Sequence, residues 1–155
     1  MMPEFVPLIP KSTKKTETPL LTFRLDQQQY ALLIEDVIEV AAMVEMIRIA
    51  GARPELPGMV NRHGKPLQLL DLRVIFEQPT PPMTAATLFI VAQHGRQMAG
   101  LIVDEVLQVE YVADTGYSAG AAPYIRGIIS QTTRLIQVVS LAALLHEYLL
   151  DASKV

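Results

Sequence analysis

The chain has no cysteine and no tryptophan, and aromatic residues make up only 6% of its 155 positions. Without thiols there is no disulfide, no thiolate nucleophile and no zinc–thiolate site, and the composition fits a reducing, cytoplasmic setting. Charge is sparse as well: Asp, Glu, Lys and Arg make up 19%, with a net charge of -3 and a pI near 5.6. Phosphate binding runs on clustered Lys and Arg, so this balance argues against a nucleic-acid partner. The basic residues of the first half (Arg24, Arg48, Arg53, Arg62, Lys65 and Arg73) come with few aromatic platforms for stacking bases. No apolar run approaches the roughly 18 residues of a membrane helix, so direct membrane insertion is not expected. Met1–Pro10 lacks the charged start and apolar stretch of a signal peptide. Half of the residues are hydrophobic, which supplies a core for one domain or two small packed ones.

Catalytic patterns are missing too. The three histidines, His63, His94 and His146, are never three or four residues apart, and no H-E-x-x-H or comparable metal spacing occurs. There is no G-x-S-x-G, no phosphate-binding G-x-x-x-x-G-K-[ST] and no G-x-G-x-x-G. The chain reads as non-catalytic, with no cofactor and no metal.

A shift of 69 residues lays the chain on itself. It carries Leu32–Val40 onto Leu101–Val109, apolar on apolar and acidic pair on acidic pair. It also carries Gly58 onto Gly127 and Leu67–Leu72 onto Ile136–Leu141, with no gap. A repeat of this length means one structural unit built twice. The first unit reads as strands Leu20–Leu25 and Tyr30–Leu33 around the turn Asp26–Gln29. Ile34, Val37, Ile38 and Ala41 then fall on one helical face. A strand over Glu45–Ile49 follows, then Met59–Asn61, the turn Arg62–Lys65, and the strand Pro66–Leu70. Asp71 caps a short helical turn ending near Glu77. Pro79, Pro81 and Pro82 mark the boundary between repeats. The second unit has strands Thr87–Ala92 and Met98–Val103 around a turn containing His94. A copy of the helical transition follows at Asp104–Val109, then a loop over 112–123, strands Ile125–Ser130 and Leu135–Val139, and a helix Leu141–Leu150 capped by Ser140. The expectation is an all-β fold with short helices. Residues 1–18 read as a flexible tail, 19–150 as one domain of two subdomains (about 19–82 and 83–150), and 151–155 as a second tail.

Plain structural readings cover many of these residues. Gly58, Gly64, Gly100 and Gly127 suit tight turns and close strand approach. Val37, Val40, Val106 and Val109 at helical spacing read as core, and an exposed subset would mark an interface. Asp71 reads as a helix cap, and Arg73 as a solvated or salt-bridged surface residue.

Four segments together resemble the CheW family, the coupling scaffolds of bacterial chemotaxis. The first is Tyr30-Ala31-Leu32-x-Ile34-x-x-Val37-x-Glu39-Val40. The second is Gly58-Met59-Val60-Asn61-x-x-Gly64 followed by Leu69-Leu70-Asp71-Leu72-Arg73. The third is Gly100-Leu101-Ile102-Val103-Asp104-x-Val106, and the fourth is Tyr124-Ile125-x-Gly127-Ile128. They stand in family order over roughly residues 20–150. The resemblance implies two similar five-stranded SH3-like β-barrels packed together with a C-terminal helix. It also implies a non-catalytic adaptor that joins the cytoplasmic tips of methyl-accepting chemoreceptors to the regulatory domain of a CheA-type histidine kinase, with self-association in arrays. By carry-over, Val37, Glu39, Gly58, Asn61, Arg62, His63, Gly100, Val106 and Gly127 would line partner contacts. The family's N-L-R-G turn reads Asn61-Arg62-His63-Gly64 here, so His63 stands where Arg is usual. His is shorter than Arg and titrates near neutrality. In an extended segment, Arg62 would point to the opposite side. The alternative that follows is a divergent coupling protein of a non-flagellar pathway such as twitching motility or surface sensing. A small barrel binding nucleic acid or a ligand is the remaining reading.

Overall fold

The computed structural model describes residues 17–113, 117–120 and 122–149. Among the described residues eleven strands run in the order β1 (Glu17–Leu25), β2 (Gln28–Leu33), β3 (Val37–Ala42), β4 (Gly58–Arg62), β5 (Lys65–Asp71), β6 (Leu88–His94), β7 (Gln97–Val103), β8 (Glu105–Ala113), β9 (Tyr117–Ala119), β10 (Ile125–Gln131) and β11 (Arg134–Val139). A 3-10 turn, Ile34–Asp36, joins β2 to β3; helix α1 (Leu72–Ile75) follows β5 and helix α2 (Leu141–Tyr148) follows β11. Of the expected N-terminal tail, Glu17 and Thr18 belong to β1, while residues 1–16 and the C-terminal tail 151–155 lie outside the described residues.

The shift of 69 residues holds in three dimensions. It carries β1 onto β6, β2 onto β7, β3 onto β8, β4 onto β10, β5 onto β11 and α1 onto α2. The strands form two sheets, β8-β1-β2-β11-β10-β9 and β3-β6-β7-β5-β4. The repeat exchanges the first five strands of one sheet for the five of the other. The sheets do not divide at Pro82, as the expected subdomain boundary has it. Each takes the opening hairpin of one repeat and the last three repeated strands of the other. Parallel pairs join the exchanged parts: Leu69 lies opposite Gly100, and Val138 lies opposite Ala31 at the equivalent place. Even the irregularities repeat. The register slips between Val37 and Glu39 against β6, and between Thr22 and Phe23 against β8, so Ile38 and Leu107 are the extra residues of matching bulges.

This exchange explains the near-continuous apolar strands. Leu21, Phe23 and Leu32 of the first sheet meet Leu70, Ile90 and Leu101 of the second in one shared core, closed by Leu141, Leu144 and Leu145 of α2. The opposite faces fill a smaller cluster within each sheet. Leu20, Ile129, Ile136 and Val138 pack in the first sheet; Phe89, Val60, Leu67 and Leu69 take the equivalent places in the second. A strand buried on both faces has no polar–apolar alternation to show. An ion pair also reaches across strands within each sheet. Glu39 of β3 meets Arg62 of β4 at 2.8 Å, and Glu110 of β8 meets Arg134 of β11 while accepting a hydrogen bond from the Thr22 hydroxyl at 3.1 Å.

Several expectations are corrected. The helical face Ile34–Ala41 is a 3-10 turn followed by strand β3, and Asp104–Val109 is likewise the start of β8 rather than a helix. β-Branched Val37, Ile38 and Val40 suit a pleated strand, and β3 gains its hydrogen-bonded partner in β6. β3 is apolar on both faces, which imitates helical spacing. Glu45–Ile49 is not a strand; Ile47 makes a single bridge to Met59. The loop over 112–123 contains the three-residue strand β9, which makes the first sheet six-stranded. Arg73 is not on the surface. It is 3% exposed, and its Nε and Nη2 donate to the two carboxylate oxygens of buried Asp71 at 2.9 and 3.0 Å. Asp71 does cap α1, accepting from the Arg73 backbone N–H at 3.1 Å.

Breaking this buried fork from one side strands a carboxylate in the core. Arg73→Met alone is expected to cost about 3–5 kcal/mol of stability, read as a lower urea midpoint with an unchanged slope.

Candidate protein-docking surface

β3 and β8 stand at equivalent ends of the two sheets, so among the described residues each has one edge without a strand partner. Along β3, Val37, Glu39 and Ala41 turn inward, and Ile38, Val40 and Ala42 turn to solvent. Ile38 and Val40 are each 42% exposed, and the apolar surface continues through Val44 and Ile47 at 54% and 58%. On β8 the places of Val40 and Ala42 are held by Val109 and Tyr111, exposed at 53% and 69%. Large apolar side chains grouped on an unpaired sheet edge are unusual for a surface with no partner. The molecule therefore carries the same kind of face twice, once per sheet.

Beside the β3 face lies a charged corner. The Glu39 carboxylate accepts from Arg62 Nε at 2.8 Å, and His63 Nε2 lies 3.8 Å from the same oxygen. The hydrogen bond from Arg62 is the main reason that the Glu39 carboxyl titrates below its ordinary value; partial burial opposes it, and the charges of Arg62 and His63 add to it. Arg62 pairs with Lys65 across the hairpin, leaving His63-Gly64 as a two-residue loop. His63 has φ 52° and Gly64 φ 82°, the pattern of a turn whose twist matches the flanking strands. The Asn61 side chain accepts the Gly64 N–H at 2.8 Å and fixes the loop. The left-handed conformation at His63 breaks the alternation of the strand. Arg62 and His63 consequently reach the same carboxylate, contrary to the expectation that they point apart.

The nine residues singled out from the sequence thus divide. Glu39, Asn61, Arg62 and His63 gather at one corner, with Val37 two residues along β3 and half-buried against the shared core. Val106, at the equivalent place on β8, is likewise half-buried against that core. Gly58, Gly100 and Gly127 are buried in β4, β7 and β10. A Cβ on Gly58 would lie 2.5 Å from the Ile47 carbonyl oxygen, so Gly58 holds the segment that presents Ile47. A Cβ on Gly100 would lie 2.7 Å from Leu69 Cδ2 and 2.8 Å from Phe89 Cδ1. Sequence reasoning did not single out Ile38, Val44, Ile47 and Tyr111 as exposed: Ile38 was read onto a helical face and Ile47 into a strand, while Val44 and Tyr111 lay outside the helical segments. Apolar residues at both odd and even positions of a terminal strand would have been the signal. Of the six basic residues of the first half, Arg24, Arg62 and Arg73 are committed to Glu105, Glu39 and Asp71, which breaks up any basic face there. No helix among the described residues is long and apolar enough to cross a membrane.

The model of the CheW-like domain family matches residues 19–149. The chain belongs to the CheW-like family. Among similar proteins, a probable chemotaxis protein CheW of Rhizobium etli is 27% identical over 144 residues, covering 88% of this chain and 93% of that one. The chemotaxis protein CheW of Bacillus subtilis is 25% identical over 140 residues, covering 86% and 90%. The crystal structure of the scaffolding protein TtCheW from Thermoanaerobacter tengcongensis superposes with a TM-score of 0.74 at 24% identity, covering 81% of this chain and 90% of that one. The paired-barrel architecture expected from the resemblance is the fold observed.

Two outcomes are expected from this geometry. The folded Glu39 carboxyl titrates below its ordinary value of 4.5, so the stability contributed by its contact with Arg62 is fully present above that pH and fades as pH falls below it. Thermal melts of wild type and Glu39→Gln should differ near neutrality and converge in acid. Gly100→Ala should cost about 1–3 kcal/mol in a urea titration, because Leu69 and Phe89 must give way to the added methyl.

Proposed function

We propose that this chain is a non-catalytic adaptor that couples chemoreceptor tips to a CheA-type histidine kinase in the cytoplasm. The observation that carries this reading is the duplicated docking face: two exposed apolar strand edges, one on each sheet of an interlocked body. An adaptor needs two surfaces in fixed relative orientation and no perturbed acid or base. A partner can align along the β3 edge, take Ile38 and Val40 into its own apolar surface, and find Glu39, Arg62 and His63 at the rim. Val37, Gly58, Gly100, Val106 and Gly127 then serve by shaping the strands behind these faces. Membership of the CheW-like family and the chemotaxis names of its relatives support the same reading.

A divergent, non-flagellar coupling system is the second reading, and the Glu39 corner favours it. The carboxylate is already engaged by Arg62, and His63 offers a partner a shorter imidazole where the family pattern has Arg.

Calorimetric titration against the regulatory domain of a CheA-type kinase from the same genome tests the proposal. One-to-one binding at about micromolar strength is expected, as for a transient interface of modest area. Val40→Asp should weaken it about tenfold or more while leaving the melting temperature unchanged, since Val40 is exposed. Absence of binding to every such kinase of the genome would overturn the adaptor reading.

A further inference from the structure

The chain crosses between the sheets at two equivalent places, once through Ile34–Asp36 and once through Asp104, and their polar contacts differ: at the first, Asp36 lies 3.7 Å from His94 of β6, and at the second a larger network forms. The helix at one of these seams is α2, eight residues long, which buries Leu141, Leu144 and Leu145 in the shared core. The equivalent helix α1 has only four residues. Leu72, Ile75 and Phe76 hold the equivalent places against the shared core, and at this seam polar contacts are added to them. Arg73, the second residue of α1, forks onto Asp71 of β5 in the second sheet. Its Nη1 lies 3.7 Å from Asp104 Oδ1. The other oxygen of Asp104 accepts the Asp26 N–H at 2.6 Å, in the β1–β2 turn of the first sheet, and the Asp104 N–H donates to the Arg24 carbonyl at 3.1 Å. A continuous polar chain therefore runs from β5 through Arg73 and Asp104 to the β1–β2 turn. The repeat supplies an internal comparison: Ser140 and Ala142 hold the places of Asp71 and Arg73 at the α2 seam. The fold itself does not require the charges.

Hydrophobic burial is non-directional, and sheets packed by it alone tolerate small rotations. A two-pronged guanidinium–carboxylate fork is directional and fixes both distance and plane. We propose that the Asp71–Arg73–Asp104 triad is an orientation lock between the two sheets, with Arg73 as the positioning residue. It holds the β3 and β8 faces at one relative angle. The consequence for coupling rests on the adaptor reading, whereas the lock itself can be measured on the isolated protein.

The absence of cysteine makes the measurement clean. Val40→Cys and Val109→Cys, exposed on the outer strand of each sheet, take spin labels with no background thiol. Double electron–electron resonance then reads the distribution of distances between the two faces. In the labelled parent the distribution should be narrow. In Asp71→Ser/Arg73→Met it should become about twofold broader or shift, as for packed units free to move against one another. Serine keeps a capping oxygen for α1, as Ser140 does for α2, and methionine fills the volume of the arginine stem. Removing both charges avoids the stranded carboxylate of the single change. Asp104→Asn leaves α1 and its cap intact and removes only the ionic link across the seam, and it should broaden the distribution to a lesser degree. If the double variant lacks a cooperative urea transition, Asp104→Asn decides alone. Equal widths in parent and folded variants, or a parent already broad, would overturn the lock. The labels need no partner, so failure of the adaptor reading would appear only in the calorimetry.

Discussion

Two parallel strand pairings, β5 with β7 and β2 with β11, are the constraint on which the rest of the molecule depends. They stitch the opening hairpin of each repeat to the closing strands of the other. Neither repeat completes a sheet by itself, so the halves cannot fold as independent barrels. Parallel neighbours need long crossovers, and here residues 72–96 lead from β5 to β7 and residues 34–133 from β2 to β11. Each exchanged hairpin is buried on both faces, one against the shared core and one within its own sheet, which is why Leu20-Leu21 and Phe89-Ile90 are adjacent yet belong to different clusters.

The same exchange leaves each sheet with an outer strand. Among the described residues β3 and β8 are each paired on one side only, and both carry apolar residues on the outward face. The buried glycines maintain that arrangement from behind. Gly100 admits Phe89 and Leu69 where the first sheet has Ala31 between Leu20 and Val138, a substitution of small for large compensated across one layer. Gly58 lets the chain at Ile47 lie against β4 and so keeps part of the apolar face in place. The exposed apolar face is a property of strand position and close backbone packing, with charged groups confined to its rim.

The two seams between sheets show two answers to one problem. Both set an apolar stripe against the shared core, Leu141, Leu144 and Leu145 at one and Leu72, Ile75 and Phe76 at the other, and the seam with the shorter helix adds a buried charge fork. Charges this deep persist only when each has a partner, and Asp71, Arg73 and Asp104 satisfy one another and two backbone N–H groups. The aromatic rings join the same region: Phe23, Tyr30, Phe76, Tyr124 and Tyr148 follow one another in contact through the junction of the sheets.

Much of this was legible in the chain itself. The shift of 69 residues, most strand positions, the Asp71 and Ser140 caps and the four family segments are local patterns, set by side-chain period, turn chemistry and spacing. The glycines could be read as close-packing positions for the same reason. What the sequence could not decide was partnership. The pairing of β3 with β6, the exchange of hairpins and the burial of Arg73 depend on contacts between residues far apart in the chain. A segment such as Val37–Ala41, apolar in both possible periods, carries no local signal to choose between helix and strand. Only the presence of β6 alongside made it a strand, and only its place at the end of a sheet turned Ile38 and Val40 outward. Likewise, the positive φ at His63 brought Arg62 and His63 to one carboxylate, a meeting that alternation along an extended strand would forbid. Local chemistry determined the elements; long-range pairing decided which of their faces the protein shows to others.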